Sequence, residues 1–160
     1  VSALLGYTTK SLAPYKGIGL ANNVAVQSAK VLPATATGTL FTVTGTVVVL
    51  GLIGVVTTAF SATSVNVSLG ITGSNAALAA NPSAAFGVTA IGSLIQLPAT
   101  LGGVLPAAVT SKQSAAAQEY FILRGTNVTV TTDATNTGAL TWILVWSAIS
   151  RKVPGAVTAP

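Results

Sequence analysis

The sequence predicts an all-β protein: an antiparallel β-sandwich, jelly-roll-like, with an extended N-terminal arm. Three observations lead there. Thr, Val, Leu and Ile alternate with a two-residue period, Gly and Pro turn signals part about seven to nine short strands, and helical periodicity is nearly absent. The 160 residues, of which 51% are hydrophobic, suffice for one domain with a real core and hardly for two.

Residues 1–36 read as the arm. They hold Lys10, Lys16 and Lys30, the glycines Gly6, Gly17 and Gly19, the pair Asn22-Asn23 and two prolines, with one short strand expected at Asn23 to Val31. The β-domain spans 37–150, and 151–160 is a tail. Thr39 to Thr44 is the first strand of the domain, ended by Gly45. Val47 to Leu52 is an almost unbroken apolar run suited to burial on both faces, and the two strands are expected to pair as a hairpin. Val55 to Phe60 continues past Gly54, where a glycine inside a strand pattern suggests a bulge. Val65, Val67, Leu69 and Ile71 then alternate with Asn66, Ser68, Gly70 and Thr72, a half-exposed strand.

Thr72 to Ser83 reads as a loop, with Gly73-Ser74-Asn75 and Asn81-Pro82 as turn signals and one helical turn over Ala76 to Ala80. Gly87 to Leu97 is a strand ended by Pro98. Leu101 to Val109 is irregular and Ser111 to Gln118 is a polar, alanine-rich link. Glu119 to Arg124 and Asn127 to Thr132 are strands parted by Gly125, and a turn from Asp133 to Gly138 leads into the last strand, Ala139 to Ile149. There Trp142, Leu144 and Trp146 point one way, and Thr141, Ile143, Val145 and Ser147 the other. Neither face is polar, so the strand is either central with layers on both sides or covered by another subunit. Phe41, Val49, Trp142 and Trp146 are the expected core.

Composition excludes most chemistry. Seven Lys or Arg and two acids make up 6% of the chain, against about 25% in a typical soluble domain, so solubility rests on hydroxyls, amides and assembly. The absence of His, Cys and Met removes the usual general base, the thiol nucleophile and nearly all nitrogen or sulfur metal ligands. No catalytic, cofactor or metal site is expected, and the protein reads as a non-enzyme. A mechanism on paired carboxylates would need both acids, Glu119 and Asp133; Asp133 reads instead as a turn residue whose carboxylate accepts backbone N–H bonds. Gly17-Ile18-Gly19 lacks the third glycine of a dinucleotide fingerprint. Asn66-Val67-Ser68 and Asn127-Val128-Thr129 match the N-glycosylation pattern, relevant only on a glycosylating secretory route.

The pI near 10 comes from scattered bases, with no charged residue between Lys30 and Lys112, so no specific nucleic-acid partner is expected. A mean hydropathy of +0.75 raises the question of a membrane. The most apolar stretch, Gly45 to Phe60, is interrupted by Gly51 and Gly54 and falls short of the roughly 20 residues of a spanning helix. No membrane span is expected. The start at Val1 fits removal of an initiator Met or maturation by cleavage.

Three segments together resemble a known group: Thr37-Gly38-Thr39-Leu40-Phe41-Thr42-Val43-Thr44-Gly45, Leu52-Ile53-Gly54-Val55-Val56-Thr57-Thr58-Ala59 and Thr135-Asn136-Thr137-Gly138-Ala139-Leu140-Thr141-Trp142. They are similar to small β-rich proteins encoded among the virion structural genes of tailed bacteriophages. The likeness covers about residues 37–72 and 119–149; members usually end in a more charged tail and carry more acids. It implies a capsid decoration or cement protein on the virion surface, a homo-oligomer, expected as a trimer, bound to the major capsid protein. The arm would grip the shell, with Lys10, Tyr15, Lys16 and Lys30 as interface residues. Two other readings compete: a secreted, extracellular filament subunit whose arm completes the next subunit's sheet, and a tail-fibre or receptor-binding module using loop 73–83 for glycans.

Overall fold

A computed structural model describes residues 23–60, 65–80, 89–98, 100–103, 120–135, 137–149 and 154–160. Ten strands follow one another: β1 (Asn23–Val31), β2 (Thr37–Thr44), β3 (Thr46–Thr58), β4 (Val67–Ile71), β5 (Ser74–Ala79), β6 (Leu94–Gln96), β7 (Phe121–Arg124), β8 (Asn127–Thr132), β9 (Ala139–Ala148) and β10 (Ala156–Thr158). They form two antiparallel five-stranded sheets packed as a sandwich. The first has the order β1-β9-β3-β6, with β7 also on β3, and the second the order β10-β2-β8-β4-β5.

The pairings are nested. β4 pairs with β5, β3 with β6, β2 with β8 and β1 with β9, as in one long two-stranded ribbon; the ribbon then rolls so that β9 meets β3 and β8 meets β4. β1 falls within residues 1–36 and β10 within the tail, and both are paired strands, β1 on β9 and β10 on β2.

The expected hairpin between Thr39–Thr44 and Val47–Leu52 does not form: β2 lies in one sheet and β3 in the other. Only Gly45 separates them, and at φ 64° it bends the chain from sheet to sheet. Gly125, at φ 51°, turns β7 into β8 at the same place, its N–H donating to the Gly45 carbonyl over 3.0 Å. A ribbon bent at both strands is how chains make the corner of a β-sandwich. Gly155 closes this corner: a Cβ there would lie 2.5 Å from the Thr46 carbonyl oxygen.

Two further expectations are corrected. Ala76 to Ala80 makes no helical turn, since the two-residue turn Thr72-Gly73, with Gly73 at φ 85°, sends the chain back along β4 as β5. Gly54 marks no bulge either; the irregularities of β3 against β9 fall between Val49 and Gly51 and between Val56 and Thr58. Gly54 instead makes room for an aromatic ring, because a Cβ there would stand 2.9 Å from Cζ3 of Trp142, its register partner on β9.

The core fills the space between the sheets. Phe41, Val49, Leu140, Trp142 and Leu144 are fully buried, and Trp146 closes one side at 9% exposure. Each such side chain contributes about 1.5–3 kcal/mol by leaving water. The indole N–H groups of Trp142 and Trp146 are buried with no acceptor among the described residues. Their value to the fold is therefore packing.

A candidate interaction face

Strand alternation gives the two sheets different exteriors. On the second sheet, outward positions are hydroxyl-rich: Thr37 faces Thr131, their Oγ1 atoms 2.7 Å apart, Thr39 faces Thr129, and Thr158 faces Thr42. Ser68 and Gly70 continue those rows on β4, but Ser68 and Thr129 are buried there, so the strand expected to be half-exposed is covered on both faces. The hydroxyls of this sheet that meet water are those of β2 and β10, Thr37 and Thr158 among them.

The first sheet turns aliphatic side chains outward. One row runs Val26, Ile143, Ile53, Gln96 and another Thr141, Val55, Leu94. Val24 lies beside Val145 on β9, and Val48 beside Ile122 on β7. No acid or base stands in these rows. Arg124 lies at the end of β7 opposite Thr46. Exposure is concentrated here too. The large hydrophobic side chains exposed among the described residues are Val24, Val26 and Val31 on β1, Tyr120 and Ile122 at β7, Ile149 after β9, and Ile91 in the turn before β6. None belongs to a strand of the second sheet. A connected aliphatic surface of this kind ordinarily marks a contact.

Of the residues expected at an interface, Lys30 is described; Lys10, Tyr15 and Lys16 lie outside the described residues, as does Glu119. Lys30 is half-buried on β1 opposite Leu140. A register shift between Gln27 and Lys30, with Ala29 at φ 45°, turns the lysine to the side of β1 that Leu140 occupies on β9. Phe41, Val49, Trp142 and Trp146 lie inside, away from any contact surface. The surface residues that sequence reasoning missed are Val24, Val26 and Ile122. Their signal was present in the alternation Val24, Ala25, Val26, Gln27, hidden once the segment is read as an arm.

Asp133 holds a loop in place. Its carboxylate accepts the Asn66 backbone N–H at 2.8 Å and the Asn66 side-chain amide as well. These bonds favour the charged form, and they hold the carboxyl below its ordinary value of 3.8. The main donor is thus the segment entering β4, the strand beside β8, and the backbone N–H of Asp133 itself adds to it. In the two glycosylation triplets the Asn66 amide is engaged by Asp133, and Ser68 and Thr129 are buried in β4 and β8.

No helix among the described residues is long and apolar enough to cross a membrane. Comparisons with known protein families, curated proteins and solved structures found no match.

Proposed function

We propose that this chain is a structural protein of a virion, a decoration protein that binds a phage shell as a homo-oligomer, expected as a trimer. The observation that carries the reading is the nested pairing of β1 with β9, β2 with β8, β3 with β6 and β4 with β5. That winding supports a jelly-roll reading of the sandwich, an architecture used by viral capsid proteins, lectins and cupins. The resemblance of segments 37–45, 52–59 and 135–142 to phage virion proteins selects among these. The histidine-free composition argues against a metal-binding cupin, and the aliphatic face of the first sheet suits burial between copies.

The test is co-sedimentation of the purified chain with undecorated phage shells, followed by electron microscopy of the pellet. Saturable binding in regular clusters is the expected result. Failure to bind shells, or open-ended fibres from protein alone, overturns the reading in favour of a filament subunit. Removing residues 1–22, which spares every strand pairing described above, should keep the sandwich and abolish shell binding. Retained binding refutes the arm's role.

A further inference from the structure

We infer that copies of this chain join edge to edge through the first sheet, β1 of one copy lying antiparallel beside β7 of the next. The inference rests on the homo-oligomer part of the proposed function and names its contact. The argument starts from what each edge exposes. β1 is the nine-residue edge strand on one side of the sheet, and it shows Val24 at 61%, Val26 at 48% and Val31 at 57%. At the opposite edge Tyr120 shows 60% and Ile122 63%. A two-fold pairing of β1 with β1 would cover the first set and leave the second in water. A head-to-tail contact covers both, and such contacts close into rings when the rotation between copies permits.

Direction and charge agree. β1 is antiparallel to β9, β9 to β3 and β3 to β7, so β1 and β7 run oppositely across the sheet. A neighbouring copy in the same orientation therefore presents β1 to β7 antiparallel, continuing the alternation of the sheet. Val24 and Val26 lie outward in rows with Val145 and Ile143, and Ile122 lies outward beside Val48, so these side chains extend one face across the junction. Residues 23–29 are uncharged; the cations nearest the contact, Lys30 and Arg124, each stand at the C-terminal end of their strand. Antiparallel pairing puts them at opposite ends. In a ring each copy uses both edges, so every junction buries Val24 and Val26 of one copy against Tyr120 and Ile122 of the next, the apolar centre of a contact that in a specific interface totals roughly 1,600 Å².

The chain has no cysteine, so introduced thiols report without background. The experiment uses the full chain, with native mass spectrometry and oxidative cross-linking. Three variants are made: Val26→Cys, Ile122→Cys and the two together. The wild-type protein is expected as a discrete oligomer. The double variant should give a covalent ladder ending at that oligomer, and each single variant should stay uncross-linked. Val26→Asp and Ile122→Asp should each shift the population to monomer by at least tenfold at the same concentration, with an unchanged circular-dichroism spectrum. Self-cross-linking of Val26→Cys alone overturns the inference in favour of two-fold pairing. An oligomer indifferent to both aspartates also overturns it while leaving assembly intact. A monomeric wild-type protein overturns the homo-oligomer reading itself.

Discussion

Gly54 is the position where a single methyl group tests the packing of the core. A Cβ added there would lie 2.9 Å from Cζ3 and 3.1 Å from Cε3 of Trp142, and 3.2 Å from Cδ2 of Leu140. Carbon atoms settle at about 3.5–4.0 Å, so the indole must retreat by roughly half an ångström or more within a core where Trp142 is already fully buried. Overpacking of this kind costs about 1–3 kcal/mol. Against it stands the gain from replacing a glycine whose φ is not positive, about 0.4–1 kcal/mol through the unfolded chain. Gly54→Ala should therefore destabilise by about 1–2 kcal/mol, which for a domain of this size lowers Tm by about 2–8 °C. In a Trp142→Leu background the obstruction is gone, and the same alanine should be neutral or stabilising. The coupling between the two sites is expected at about 1–3 kcal/mol. Thermal and urea unfolding of the four proteins measure it. Additive effects, or a Gly54→Ala protein more stable than wild type, would show that the indole does not rest on the glycine.

Three other perturbations follow from the same packing and hydrogen bonds. Gly155→Ala would place its Cβ 2.5 Å from the Thr46 carbonyl oxygen and 2.6 Å from Val47 Cγ1, so it should cost about 3 kcal/mol or detach β10; hydrogen exchange at Val157 reports the second outcome and the urea midpoint the first. Trp142→Phe removes a buried donor that has no acceptor among the described residues, which returns about 1–3 kcal/mol against the lost area, so it should be far milder than Trp142→Ala at about 3–5 kcal/mol; equal losses in denaturant unfolding would contradict this. Because the Asn66 bonds lower the carboxyl of Asp133, the folded state binds that proton less tightly than the unfolded chain. Its stabilisation is present above the ordinary carboxylate range and is lost as pH falls below about 4 through the folded value. Asp133→Ala should lower Tm at pH 6 and converge with wild type near pH 2, and a constant difference across that range would refute the linkage.

The strands were legible because their alternation is local, and the partners were not, because pairing is decided at a distance. The pattern of Ala139 to Ile149 places Trp142, Leu144 and Trp146 on one face, and the structure buries them between the sheets. Thr44-Gly45-Thr46 reads as a hairpin because an apolar run follows a glycine. A tight hairpin needs two central residues, commonly both with positive φ, and one glycine can only bend the chain into the other sheet. Thr72-Gly73 does have the two residues a hairpin needs, yet Ala76 to Ala80 carries the helix preference of alanine, which pairing with β4 overrides. The candidate face was half visible. Ile143 and Val145 raised the question of what covers the last strand, but its neighbours Val24, Val26 and Ile53 come from segments far apart in the chain.

The two exteriors differ in how they can meet water. On the second sheet the exposed threonines of β2 and β10 meet water through hydroxyls. The first sheet has no such device, and an aliphatic sheet with open edges would ordinarily recruit strands without discrimination. Its edges are not uniformly open, however. The far end of β1 is broken by the irregularity at Ala29, whose N–H is taken by Thr141 Oγ1 at 3.2 Å, and it carries Lys30 just before its last residue, Val31. The opposite edge is divided between β6 and β7, three and four residues long. A short β7 and a β1 left regular only from Asn23 to Gln27 can offer each other a few backbone bonds and a handful of aliphatic contacts, too little for indiscriminate stacking. The proposed edge contact needs no more than that, since closure of a ring multiplies a modest contact without lengthening it.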